Sequence, residues 1–141
     1  EEGLRGGTLP TPLIASFGKA VEAFPSVYNM LCDTALKRQL LERLNKLNIP
    51  YITNGASIDS LVSLTLPNSD VPALLRETSN MFSLATGSAC SSKEIEASHV
   101  LMAIGMEREL AEKTLRISFN HHLNSSDVWK LAEQIAKYTA R

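Results

Sequence analysis

The chain has 141 residues, of which 44% are apolar and 21% charged, the balance of an ordinary globular fold long enough to bury one core. A net charge of -1 leaves no electrostatic footprint for nucleic acid, and no apolar run approaches the roughly 20 residues a membrane-spanning helix needs. Two cysteines, Cys32 and Cys90, make no disulfide framework and suit a reducing compartment.

From the amino terminus, Thr11-Pro12 has the form of a helix N-cap followed by proline at the first helical position, so a helix should run through Ile14, Phe17, Ala20 and Val21. Pro25 should interrupt or kink it. A second helical pattern spans about Ser26 to Leu47, where Met30, Leu31, Ala35, Leu40, Leu41, Leu44 and Leu47 recur with helical spacing; Asn48-Ile49-Pro50 ends it. Cys32 falls inside this helix, as core or partly covered surface. Tyr51-Ile52-Thr53 is a short strand candidate, closed by the turn signal Asn54-Gly55.

The run from Leu61 to Leu66 reads as a strand stopped by Pro67-Asn68, and Val71 to Glu77 reads as a helix. Met81 to Ala85 is a strand candidate feeding a glycine-bearing loop. Ser98 to Met106 should be a helix with Gly105 near its end, Glu109 to Lys113 a further helical turn or two, and the alternating run Leu115 to Phe119 a strand. Ser126 should cap the last helix, with Asp127 favouring the positive end of its dipole and Val128, Leu131, Ala132, Ile135 and Ala136 as its apolar stripe. The pattern describes a small sheet covered by helices, an α+β unit.

The loop Ala85-Thr86-Gly87-Ser88-Ala89-Cys90-Ser91-Ser92 places a thiol among small, hydroxyl-bearing residues. A cysteine buried for packing has bulky apolar neighbours, and Cys90 has none on either side. An accessible loop thiolate is a candidate nucleophile. Spacing alone leaves that reading level with an incidental loop thiol.

A wider pattern separates the two. Thr86 to Ser92, then Glu94-Ile95-Glu96-Ala97-Ser98-His99-Val100-Leu101, Ala103-Ile104-Gly105-Met106, Glu109-Leu110-Ala111 and Leu115-Arg116-Ile117-Ser118-Phe119, resemble in order and separation the catalytic-cysteine region of the cysteine desulfurases. These are pyridoxal-phosphate enzymes of the class V aminotransferase type. Gly3-Leu4-Arg5-Gly6-Gly7-Thr8-Leu9-Pro10 is similar to a second family block. The resemblance implies the carboxy-terminal portion of such an enzyme: an α+β small domain, with a short and mainly antiparallel sheet, belonging to a larger α/β fold-type-I protein. Residues 1–25 would be the end of the large domain and the start of the connecting helices, and 26–141 the small domain. The family's cofactor lysine lies upstream, in a Ser-His-Lys type motif that does not occur in these residues.

What the resemblance implies for chemistry centres on Cys90, which would take sulfur from L-cysteine as a persulfide and leave L-alanine. Arg116 would pair with the substrate carboxylate, for which a guanidinium fork is suited. On a strand between Leu115 and Ile117 its side chain points away from both, and a surface salt bridge is the alternative. Thr8, in a Gly-Gly-Thr turn before a helix, would contact the phosphate of pyridoxal 5'-phosphate bound in a neighbouring subunit; taken alone, the turn is a plain helix entry. Arg5 would help line the same site. His121 and His122 stand where the family usually has glycine and arginine. Cys90, His99 and His121 match no zinc spacing, so no metal site is expected.

Partners implied are L-cysteine, a sulfur-acceptor protein, and either a second subunit or the large-domain portion, with neither nucleic acid nor membrane bound directly. The compartment would be the cytoplasm or an organelle matrix. The acceptor, whether iron–sulfur scaffold, transfer-RNA thiolation enzyme or DNA phosphorothioation system, is not encoded in these residues. A noncatalytic persulfide carrier or dimerisation module, and a selenocysteine lyase-like relative, are the alternatives.

Overall fold

The computed structural model describes residues 9–31, 34–55, 58, 60–86 and 97–140, apart from the side chains of 29–31 and 34. It divides into two compact units, Glu1–Leu31 and Cys32–Arg141.

The first unit is built around α1 (Thr11–Leu31). The Ile14 amide donates to the Pro10 carbonyl, so the first helical bond closes one residue earlier than expected, and Thr11 lies in the first turn rather than capping it. Pro12 remains harmless there, where its missing N–H has no intrahelical acceptor. The expected break at Pro25 does not occur: the helix continues to Leu31. Pro25 deprives only the Val21 carbonyl, four residues upstream, of its intrahelical donor, and the other bonds of this 21-residue helix carry the chain past it.

The second unit follows the order α2 (Thr34–Lys46), β1 (Ile52–Thr53), β2 (Leu61–Thr65), α3 (Val71–Thr78), β3 (Ala85–Thr86), α4 (His99–Ala103), α5 (Arg108–Glu112), β4 (Thr114–Ser118) and α6 (Ser125–Lys137). Its four strands form one sheet in the order β1-β2-β4-β3, every neighbouring pair antiparallel. The expected small antiparallel sheet covered by helices is therefore present. β3 starts later than the Met81–Ala85 run suggested, at Ala85. The Met81 and Phe82 amides instead donate to the Thr78 carbonyl and close the end of α3, so among the described residues Ala85 and Thr86 are those of this segment that reach the ladder.

Alternation along the two central strands sets the layers. Val62 and Leu64 on β2, with Leu115 and Ile117 on β4, point to one face and are buried against α2 and α6. Leu36, Leu40 and Leu44 recur along one side of α2, and Val128, Leu131 and Ile135 along one side of α6, so the two helices close over this face. The opposite face carries Ser63, Thr65, Thr114, Arg116 and Ser118.

Helix ends are fixed locally. α2 stops at Asn48, whose φ of 55° turns the chain into the left-handed region. The Ile49 amide bonds back to Leu44 and the Asn48 amide to Asn45, and both Ile49 and Leu44 enter the core. Gly105, at φ 90°, ends α4 in the same way, with the Met106 amide on Leu101 and its own on Met102. The cap of α6 is Asn124 rather than Ser126: its side chain accepts from the Ser126 and Asp127 amides, while Asp127 reaches back to the Asn124 amide.

Replacing the fully buried Leu64 by alanine should cost about 3–5 kcal/mol, because the sheet and both helices meet around it. Asn124→Ala should cost only about 1 kcal/mol through loss of the cap. Urea midpoints of the two variants check the order, and equal losses would contradict this placement of the core.

Candidate substrate-binding face

Arg116 lies at the centre of β4, on its outward side, between the buried Leu115 and Ile117. Its direct neighbours across the sheet are Ser63 on β2 and Ala85 on β3. The Asn54 amide donates to the Ser63 carbonyl at 2.9 Å, extending the β1 ladder by one residue. A row Asn54–Ser63–Arg116–Ala85 therefore crosses all four strands on one face. Its members other than Arg116 are small or short and polar, so nothing in the row covers the guanidinium. The Arg116 side chain is exposed and makes no ion pair or hydrogen bond among the described residues.

Hydrogen-bond phase decides how near these side chains stand. The Leu66 amide donates to Lys113 and the Phe119 amide to Ser60, so the hydrogen-bonded pairs of β2 and β4 fall on even-numbered β2 positions. Ser63↔Arg116 and Thr65↔Thr114 are thus the non-hydrogen-bonded pairs, in which side chains approach most closely. The second pair bears this out, its two hydroxyl oxygens lying 2.7 Å apart.

Beside Arg116 the polar face is tied together in one direction. Asn54 Nδ2 donates to Thr65 Oγ1 at 2.7 Å, and Thr114 Oγ1 donates to the Leu110 carbonyl at 2.8 Å. With the Thr114 proton engaged there, Thr65 is the donor between the two threonines. Both threonines are buried, at 0% and 2% exposure, so every member of the chain has its partner. Asn54 Nδ2 also reaches Ser63 Oγ at 3.3 Å. This network ties β1, β2, β4 and α5 together on the sheet face that also carries Arg116.

Of the residues singled out from the sequence, Thr8, Cys90 and Cys32 lie outside the described residues, as does Arg5. Cys90 follows Ala85 by five positions, and Ala85 is paired with Arg116. His99 is exposed at the first position of α4. His121 and His122 sit in the turn after β4, with ring centroids 3.9 Å apart. Among the described residues no three histidine, cysteine or carboxylate side chains converge to hold a metal ion. Asn54 and Ser63 were not singled out from the sequence as site residues. Ser63 carries the outward position of an alternating run, but the strand and residue facing it depend on the register.

No family model matches the chain. Its curated homologues are cysteine desulfurases. A mitosomal cysteine desulfurase of Trachipleistophora hominis is 32% identical over 151 residues, covering 95% of this chain and 32% of the relative. A mitochondrial cysteine desulfurase of Drosophila melanogaster is 31% identical over 148 residues, covering all of this chain and 31% of the relative. The chain thus spans about a third of the length of the curated relatives it matches, consistent with a carboxy-terminal portion. Among solved structures, a NifS-like protein superimposes with a TM-score of 0.71 at 24% identity, covering 96% of this chain and 35% of that one. A structure described as SspA in complex with cysteine aligns with a TM-score of 0.53 at 31% identity, over 83% of this chain and 32% of that one.

Because Arg116 is exposed and has no partner among the described residues, Arg116→Gln should change unfolding free energy by no more than about 0.5 kcal/mol. Thr114→Val should cost about 1–3 kcal/mol, since it leaves the buried Thr65 hydroxyl without its acceptor. Denaturation of both variants tests the division, and a large loss at Arg116 would make it a structural residue.

Proposed function

We propose that this chain is the part of a cysteine desulfurase that holds the substrate's carboxylate and carries the sulfur-accepting thiol. The supporting observation is the open row on β1, β2, β4 and β3, where Arg116 stands uncovered and is paired with the strand leading to Cys90. A guanidinium with no carboxylate paired to it among the described residues, on a floor of small and hydroxyl side chains, suits a small carboxylate ligand such as an amino acid.

Arg116 binds the α-carboxylate of L-cysteine through two parallel N–H donors and so fixes which way the substrate lies. The Cys90 thiolate then attacks the substrate sulfur. The bond between substrate Cβ and sulfur breaks, a sulfur–sulfur bond forms at Cys90, and a proton ends on the former Cβ, giving L-alanine and a persulfide. Small residues on both sides of Cys90 suit a thiol that must first meet the substrate and then an acceptor protein.

Cysteine desulfurases are generally pyridoxal-phosphate enzymes, and the cofactor, when bound, makes the carbon–sulfur bond labile. The side chains around Arg116 fit the substrate's side of such a site. Among the described residues of the row there is no aromatic ring to stack on a pyridine and no lysine. Thr8 is the residue of this chain that would reach the cofactor phosphate, across a subunit boundary. The remaining two-thirds of the desulfurase supplies the rest of the cofactor site, and the two portions together are the holoenzyme. Residues 1–25 belong with the large domain in this reading and 26–141 form the small domain. The mitosomal and mitochondrial relatives make an organelle matrix one reducing compartment that suits the thiol, and the cytoplasm is another.

In the holoenzyme, Cys90→Ser should keep L-cysteine binding and abolish persulfide formation, because a serine oxygen cannot accept sulfur in this way. Arg116→Ala should weaken L-cysteine binding about thirty- to hundredfold, the value of a charge-assisted fork of about 2–3 kcal/mol. Binding isotherms and labelled-sulfur transfer separate the two roles. Normal turnover in the serine variant, or equal loss of binding in both, would overturn the assignment.

A further inference from the structure

Ser63 is the one hydroxyl in the row that directly faces Arg116, and it lies in a non-hydrogen-bonded pair, where Cβ atoms are about 4.5–5.5 Å apart. A central strand favours β-branched residues at such a position, and serine forfeits that packing. Its oxygen accepts from Asn54 Nδ2 at 3.3 Å, and no described residue accepts its proton. The second Asn54 amide hydrogen is held by Thr65 at 2.7 Å, so the amide cannot turn away. The hydroxyl is therefore oriented from behind, by a donor, with its own proton uncommitted beside an uncommitted guanidinium. A carboxylate offers about four lone-pair sites, two of which a bidentate guanidinium occupies. Ala85, on the other side of Arg116, is too small to obstruct a ligand lying over the row.

We propose that Ser63 is a second carboxylate-binding residue, donating its hydroxyl proton to the same substrate carboxylate that Arg116 holds, with Asn54 as its positioning residue. The inference rests on the reading of Arg116 given above and adds to it. Arg116 supplies charge, and Ser63 selects the plane in which the carboxylate lies. Substrates without that carboxylate gain nothing from either.

The test uses the holoenzyme, with equilibrium binding and steady-state kinetics for L-cysteine, and binding of cysteamine, which lacks the carboxylate. Ser63→Ala should weaken L-cysteine binding about tenfold, with the loss falling mainly in KM rather than kcat. Ser63→Thr, which keeps the hydroxyl and suits a strand, should recover most of that loss. Cysteamine should bind Ser63→Ala and the parent enzyme alike. In an Arg116→Gln background the further effect of Ser63→Ala should shrink to about threefold or less, because the two residues share one ligand group. Parent-like L-cysteine binding by Ser63→Ala, equal weakening of cysteamine, or full additivity with Arg116→Gln would overturn the role of Ser63 and leave that of Arg116 standing. Parent-like L-cysteine binding by Arg116→Gln would remove the carboxylate reading itself.

Discussion

The antiparallel register of β2 against β4 is the constraint on which the second unit depends. Pairing Leu64 with Leu115 and Val62 with Ile117 turns four apolar side chains toward α2 and α6. The same pairing turns Ser63, Thr65, Thr114 and Arg116 the other way. Side chains alternate with a period of two, so a slip of one residue in β4 would bury the guanidinium and expose Leu115 and Ile117, and the same slip in β2 would expose Val62 and Leu64. Core and polar face are two consequences of one pairing.

That register is held from both sides. On the apolar side it is the interlocking of α2 and α6, joined at their rims by an ion pair between Arg43 and Glu133 at 3.2 Å that contributes little because it is largely solvated. On the polar side it is the directed chain from Asn54 through Thr65 and Thr114 to the Leu110 carbonyl. Buried hydroxyls are costly unless all are paired, and here all are. The polar chain thus sets strand position more sharply than apolar packing alone, which tolerates small shifts. Precision on this face matters because Arg116 sits two pairs along the ladder from the threonines, at the next position on the same face.

The face is assembled from segments far apart in the chain. Asn54 follows β1, Ser63 lies on β2, Ala85 begins β3 and Arg116 is on β4. The strand order β1-β2-β4-β3 inserts the last strand between the second and third. This crossover brings the segment leading to Cys90 beside Arg116, although 116 − 85 = 31 positions separate Ala85 from it in sequence. A simple meander would have placed β4 at an edge, away from Ser63. Topology, as much as residue identity, makes the row.

Several features were legible in the linear chain because they follow from local chemistry. Helical periodicity marked α2 and α6, Asn48 and Gly105 marked helix ends, and alternation placed Arg116 opposite in orientation to Leu115 and Ile117. Motif order pointed to the desulfurases before any geometry was known. Other local signals competed with one another at short range: α1 ran through Pro25, Asn124 took the cap of α6 two residues before Ser126, and β3 started later because the Met81 and Phe82 amides closed the end of α3. Ser63 and Asn54 could not be singled out from sequence. A serine in an alternating run acquires a function only through what faces it, and which strand pairs with which, at which register, is a long-range property set by burial across the whole sheet. The amino-acid order determined the elements and the chemistry available to them; tertiary structure alone decided which of those groups share a face.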